Sequence, residues 1–561
     1  MNGLIMIILA VVVLGGGYLF YGRSLAKKWG IDPKVKTPAY EFEDGVDYVP
    51  ADTSVVFGHQ FASIAGVAPI NGPIQAAMFG WLPVLLWVLV GGVFFGAVQD
   101  FAAMYASVKN KGRSIGYIIE RYIGKLGKRL FLLFCWLFCI LVIAAFADVV
   151  AGTFNGFDAN GTTVKANGAV ATTSILFILF AVGLGFFLRY AKQKTWLNTL
   201  IAIVLLVGAI AIGLNAPIFL SRSVWLWIVF AYILVASVTP VWALLQPRDY
   251  LNSYLLLVMM ICTFVGIILY HPSMNLPVFT SFAVASGDGT VNYLFPILFV
   301  TIACGAISGF HSLVSSGTSS KQIKNEKNML PVSFGAMLLE SLLAVMALIA
   351  VGYLATADGL PKGTPPQIFA TAIAAFLTKL GLPSHISFTL ITLAVSAFAL
   401  TSLDSVARIG RLSFQELFID DNEKSFAWRK VLSNKYFATA LTLILSYALA
   451  MVGYESIWPL FGSANQLLSA LALIACSVFL KKTKRQGIML WGPMFIMLAV
   501  TFTALILKIK TLSVSLMADI VVGNVLQLIF AILLLILGVI VAVEGIRKLM
   551  ESKSRTTAES E

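Results

Sequence analysis

Two histidines stand inside long apolar runs, where a titratable ring is unusual. His59 lies in SVVFGHQFASIAGVAPINGPI (54–74) and His311 in TIACGAISGFHSLVSSGTSS (301–320). Imidazole changes charge near physiological pH, so either ring can carry a proton or donate a hydrogen bond to a carboxylate solute. A satisfied structural histidine is the other reading. Two carboxyls share this setting. Asp100 stands nine residues before Lys109, and Glu340 nine residues after Pro331. Each is therefore about 13 Å along a helix from the nearest loop. A charged group at membrane depth costs at least about 2.5–3.5 kcal/mol on insertion scales, so it needs a partner or a task. Asp100 and Glu340 are the expected proton carriers, a hydrogen bond to a neighbouring helix being the alternative.

Both histidine segments are rich in Gly and small hydroxyl residues, and the first adds Pro69, Asn71 and Pro73. Glycine and proline let the chain leave helical geometry. Non-helical backbone at membrane depth is tolerated only inside protein or along a cavity, and transporters build solute sites from such broken helices. The segments match weakly. His59 precedes Ser63 by four residues and Gly66 by seven; His311 precedes Ser315 by four and Gly317 by six. A solute site is expected between 57–73 and 305–318, lined by His59, Gln60, Asn71, His311, Ser312 and Ser315. Half-helix amino ends and the hydroxyls of Ser312, Ser315, Ser316 and Thr318 suit an anionic solute such as a carboxylate. Close helix packing is the rival explanation for the small residues, since Gly92 and Gly96, like Gly305 and Gly309, have small-xxx-small spacing.

Other candidates read as structural. Asp404 and Arg408, four apart, are expected to form an ion pair at the membrane interface. Arg248 and Asp249 read as interfacial too, and Asp148 as facing an outer vestibule. The five cysteines (Cys135, Cys139, Cys262, Cys304 and Cys476) lie in apolar runs and read as small buried residues. Two histidines with no cysteine near them fall short of a metal ligand set, so no metal is expected. No cofactor is expected beyond the proton as coupling ion. No phosphate-binding loop is present, which argues against an ATP-driven pump.

The elements that must position these groups follow from composition. Of 561 residues, 59% are hydrophobic and 12% charged, against about 25% charged in soluble domains. Such a chain is covered by lipid, not water. Fifteen apolar runs are long enough to span a bilayer: 3–22, 54–79, 81–107, 128–151, 171–188, 196–214, 223–240, 250–270, 292–316, 332–354, 386–407, 434–452, 458–480, 487–507 and 520–546. A further stretch, 367–380, is interrupted by Lys379 and reads as a re-entrant or surface helix. With the amino terminus outside, 33 of the 39 Lys and Arg residues fall in inside segments, as the positive-inside rule requires. Arg23, Lys27 and Lys28 follow the first run and no basic residue precedes it, the reverse of a signal peptide. The expectation is an all-α polytopic bundle of about fifteen transmembrane helices with broken helices. It forms a single transmembrane domain (1–550) followed by a short disordered cytoplasmic tail (551–561). The net charge of +13 belongs to short loop clusters, not to a nucleic-acid-binding face.

The runs FGHQFASIAG (57–66), GAVQDF (96–101), PRDYL (247–251), TIACGAISGFHSLVSSGT (301–318), LTSLDSVARIGR (400–411) and WPLFGSANQ (458–466) resemble the carbon starvation protein family, which includes a pyruvate transporter. The resemblance runs from about residue 20 to 485. It implies a bacterial inner-membrane importer of peptides, pyruvate or both, driven by protons and associated with nutrient limitation. It also implies the inverted-repeat (LeuT-like) core of the amino acid–polyamine–organocation superfamily, here with two spans inserted between the broken helices. Two departures stand out. Many members carry a second histidine where this chain has Gln60, and many carry a long insertion between 354 and 386 that this chain lacks. A membrane solute sensor is the rival from another class, but the longest loops, 23–53 and 408–433, hold no output domain. An intramembrane enzyme lacks a nucleophile-and-base or metal signature.

Overall fold

The computed structural model describes residues 2–44, 48–158, 160–190, 195–239, 245–285, 291–356, 359–418, 427–485 and 487–551. The expected tail lies outside these apart from Glu551. The chain is almost wholly helical; a short antiparallel hairpin, Ala283–Ala285 with Val291–Tyr293, is the strand pair among the described residues. Each of the fifteen apolar runs falls on a helix or on two half-helices. Nine helices among the described residues are long and apolar enough to cross a membrane, and several shorter apolar helices accompany them.

The packing is layered around one helix. Tyr454–Lys482 is buried throughout its most apolar stretch, while that of Val522–Met550 is 44% buried and that of Gly3–Lys28 only 28%. The outer helices turn Val12, Phe20, Ile506 and Ile536 outward. Apolar side chains over the whole outer surface need a lipid coat. Inside, Tyr454–Lys482 packs on Lys125–Phe154, Ile488–Ala518 and the half-helix Gly309–Gly317. Pro365–Thr378, the interrupted stretch, does not lie on the surface: Phe369, Ile373 and Phe376 are fully buried against neighbouring helices. Lys379 just beyond it rests 4.7 Å from the Tyr270 ring.

The two histidine segments are broken where glycine, proline and hydroxyl residues gather. The first is Thr53–Ile64, a link at 65–67, and Ala68–Ala76; the second is Leu294–Thr301, a link at 302–308, and Gly309–Gly317. They run antiparallel, because partner numbers fall as the chain advances. His59 meets Thr318, Gln60 meets Ser315, and Gly72 approaches Thr301.

Candidate functional site

The second break is held open by side chains. Unwinding 302–308 leaves carbonyls without helical donors, and buried polar groups must be satisfied. The Trp458 indole N–H donates to Thr301 O (3.1 Å). Gln466 donates to the carbonyls of Phe299 and Ile302. Asn465 Nδ2 donates to Ala303 O (3.0 Å), while its Oδ1 accepts from Phe310 N (3.1 Å) and Ser308 Oγ (3.2 Å). Gln99 Nε2 donates to Ser308 O (2.6 Å). Gly305 turns the link in the left-handed region (φ +82°), and a Cβ there would lie 2.7 Å from Ala344 Cβ. Gly96 likewise sits against the Ala306 carbonyl and Gly309 against that of Asn465. The small residues thus serve close packing as well as the break.

Three ionisable groups converge beside this link. His311, on the first turn of Gly309–Gly317, has its Nδ1 3.1 Å from Asp100 Oδ2 and its Nε2 3.2 Å from Glu340 Oε2. Asp100 comes from the first turn of Ala97–Lys109 and Glu340 from Ala336–Leu354. All three side chains are fully buried. Nothing in one-dimensional spacing brought His311 to either carboxyl; three separate helices do. The Cys304 thiol lies close by. One ligand atom each from Cys304, His311 and Glu340 fall within 4.8 Å of one another. The premise for expecting no metal, histidines without a neighbouring cysteine, therefore fails at His311.

The remaining expected site residues divide. Gln60 is buried and joins the two broken segments: its Nε2 donates to Ser315 Oγ (2.8 Å) and its Oε1 accepts from Ser319 Oγ (2.6 Å). His59 Nε2 is 3.4 Å from Thr318 Oγ1. His59 also lines a cavity of about 1450 Å³ bordered by Ser63, Thr318, Lys321, Arg408 and Arg411. Ser312 donates back to Gly309 O within its own helix. Asn71 is buried on Ala68–Ala76, with neither side-chain polar atom hydrogen-bonded. His59 alone of the six expected residues borders the large cavity.

Asp404 corrects the local reading. It pairs not with Arg408 but with Arg248, and accepts from Tyr232 Oη at 2.7 Å. Arg248 is 1% exposed, so it is a core residue and not interfacial. Arg408 instead donates to the carbonyls of Ala236 and Thr239, and Arg411 to that of Ser237, capping the carboxyl end of Arg222–Val238. The long-range partner wins because a buried carboxylate needs a buried cation, whereas a cation near the helix end finds free carbonyls. Asp148 accepts from Arg222 Nε and Tyr454 N, both at 2.7 Å. It borders a second cavity of about 1010 Å³ with Asn167, Lys362 and Glu455. The two cavities touch opposite ends of Lys125–Phe154, through Phe131 and Cys135 at one end and Asp148 and Gly152 at the other.

Sequence reasoning passed over Gln99, Trp458, Asn465 and Gln466 as chemistry, although amides and an indole inside apolar spans were the available signal. Arg248 and Cys304 read as structural from local sequence, yet the fold places one against Asp404 and the other beside His311.

The family model for carbon starvation protein CstA matches residues 2–358 and 358–504. The chain is 32% identical to the peptide transporter CstA of Escherichia coli, covering 86% of this chain and 78% of that one. It is 31% identical to the Bacillus subtilis protein of the same name, covering 98% and 97%. It is 30% identical to the pyruvate/proton symporter BtsT of Escherichia coli, covering 86% and 78%. Among solved structures, a manganese transporter from Eremococcus coleocola covers 90% of this chain at 14% identity and a TM-score of 0.41, a likeness too loose to carry an argument. With the nine candidate spans, these matches make the protein a multi-pass membrane protein. The chain belongs to the carbon starvation protein CstA family.

Proposed function

We propose that this protein is a proton-coupled secondary importer of peptides, of small carboxylates such as pyruvate, or of both, across the bacterial inner membrane, with a role in nutrient starvation. The observation that carries the reading is the buried Asp100–His311–Glu340 chain beside an unwound link. Ionisable groups at such depth need a partner or a task, and a ring between two carboxyls supplies both, since it can pass a proton from one to the other as it flips between neutral and charged forms. Names of relatives support the solute and the coupling ion: peptide transporter for several and pyruvate/proton symporter for one. The same names favour transport over a sensor and over catalysis.

The two broken segments run antiparallel, which is the relation an inverted repeat demands, and two cavities approach from opposite ends. Both suit a LeuT-like core; the fifteen apolar runs and the Lys and Arg distribution support about fifteen spans with the amino terminus outside and the carboxyl terminus in the cytoplasm. In this reading the cavity beside His59, Thr318, Arg408 and Arg411 is the inward vestibule, and its basic rim draws an anionic solute. Gln60, Ser312 and Ser315 shape the passage between vestibule and proton chain, and Asn71, with unspent hydrogen-bonding capacity, lines the solute path when the first segment moves.

The test is uptake of labelled pyruvate, competed by dipeptides, in vesicles holding the purified protein, with and without an outside-acid gradient. Accumulation that rises with the gradient is expected. Uptake indifferent to it removes the proton from the reading, and competition by neither class of solute removes the substrate assignment.

A further inference from the structure

The contact between His311 and Glu340 is short but has no hydrogen-bond geometry. His311 Nε2 and Glu340 Oε2 are 3.2 Å apart without hydrogen-bond geometry between them, while the Gly305 amide faces the Glu340 carboxylate and the Cys304 thiol faces the ring. The other ring nitrogen, Nδ1, lies at hydrogen-bonding distance from Asp100 Oδ2. With the ring neutral and its proton on Nδ1, Nε2 presents a lone pair to a carboxylate. Two lone-pair donors converge in a dry interior without anything between them, and a small cation is what such an arrangement accepts. The Cys304 sulfur completes a trio whose ligand atoms lie within 4.8 Å of one another. Ligands of a tetrahedral zinc ion stand roughly 3.3–3.8 Å apart, given metal–ligand bonds of about 2.0–2.3 Å, so modest side-chain rotations close the set.

We infer that Cys304, His311 and Glu340 form a binding site for a divalent transition-metal cation of the zinc class, with Asp100 orienting the histidine. The donor set of one sulfur, one imidazole nitrogen and one carboxylate oxygen selects zinc-like ions over magnesium or calcium, which take oxygen shells. A carboxylate that accepts from the far nitrogen of a metal-binding imidazole is the usual outer support of such sites. Charge agrees at the metal itself: the Cys304 thiolate and the Glu340 carboxylate balance one divalent ion, and the Asp100 carboxylate accepts from His311 Nδ1–H, since buried charge is tolerable only when paired or hydrogen-bonded. Ser308 and Asn465 surround the sulfur, with Asn465 Nδ2 at 3.5 Å and Ser308 Oγ at 3.4 Å from it. On binding, the thiol proton leaves to solvent and three protein bonds form, leaving a fourth position open. Since the ion takes the nitrogen that a transported proton would use, zinc and proton exclude one another at His311. The site itself does not depend on the transport reading.

The experiment uses the full-length protein in detergent, freed of metal by a chelator and titrated with Co²⁺. One equivalent is expected to bind per chain, with a near-ultraviolet sulfur-to-cobalt charge-transfer band and the intense visible bands of four-coordinate cobalt, all displaced by Zn²⁺. Cys304→Ser, whose fold is checked by its thermal transition, is expected to lose the charge-transfer band. Asp100→Asn is expected to weaken binding by about 10–100-fold while the band persists. No saturable binding to the wild type, or a band that survives in Cys304→Ser, overturns the site. In vesicles, Zn²⁺ is expected to inhibit gradient-driven uptake by the wild type more strongly than by Cys304→Ser. Absence of gradient-driven uptake removes the transport reading alone, because the cobalt titration still decides the site.

Discussion

Two buried charge clusters are expected to respond differently to single substitutions. Asp100 touches His311, which also faces Glu340. Asp100→Asn keeps size and shape but removes the negative charge. Gradient-driven accumulation is expected to fall to the level of empty vesicles, while solute counterflow, which needs no net proton movement, continues. Loss of both together marks Asp100 as structural, and retention of both removes it from the proton path. Arg248 and Asp404 form the contrasting case, a buried ion pair whose partners lie 156 positions apart in the chain. Arg248→Met leaves a carboxylate in the interior and is expected to destabilise the protein by about 3–5 kcal/mol. Arg248→Met with Asp404→Leu removes both charges and recovers most of that loss, measured by unfolding in detergent. Legibility in the sequence divides along the same line. That Asp100, His311, Glu340 and Asp404 needed explanation was visible, because charge in an apolar run is costly wherever it falls. Which partner each would take was not. Local spacing pointed Asp404 to Arg408, and only the packing of distant helices brings Arg248 to it. Cys304 stands seven residues before His311 in the same broken segment, but spacing across an unwound link does not say that the thiol faces the ring.

The breaks themselves were readable, since glycine and proline act on their own backbone. The clasp that stabilises a break was harder to see because it comes from elsewhere in the chain. Asn465 satisfies the Ala303 carbonyl and the Phe310 amide and shares the Ser308 hydroxyl with the Cys304 thiol. Asn465→Leu leaves the carbonyl and the amide buried without partners, at about 1–3 kcal/mol for each unsatisfied group. A markedly lower thermal transition is expected, together with loss of uptake; an unchanged transition means that the link has another support. Gln60 gives a sharper test of how the two broken elements are joined. Its amide donates to Ser315 and accepts from Ser319. Gln60→His keeps one donor and one acceptor and is expected to preserve stability and uptake. Gln60→Leu offers neither and is expected to lower both. Equal behaviour of the two variants excludes the bridge as the reason for a polar residue at this position.

At the scale of the whole molecule, the apolar runs specify helices almost without error because burial in lipid or protein asks the same thing of the backbone. Every backbone group must be bonded within the segment, and a helix does this. The side of the membrane on which each helix ends rests on charge. The loops and helix ends carrying Lys27 and Lys430 belong to the basic set, while Lys165 and Lys362 belong to the sparse set, and all four side chains are exposed. An odd number of spans puts the two termini on opposite sides; a missed or surplus span puts them on the same side and inverts every loop beyond it. Single cysteines in place of these lysines, labelled in intact cells by a membrane-impermeant maleimide, read the sides directly. Cys135, Cys139, Cys304 and Cys476 are buried, and the half-buried Cys262 is first replaced by Ala to keep the background low. Lys165→Cys and Lys362→Cys are expected to react from outside, and Lys27→Cys and Lys430→Cys only after the cells are opened. Lys27 and Lys430 lie on either side of most of the spans, so reaction of one from outside and the other from inside locates an error in the count between them. Reaction of both from outside, with Lys165 and Lys362 protected, inverts the molecule instead and turns the cavity beside His59 from an inward vestibule into an outward one.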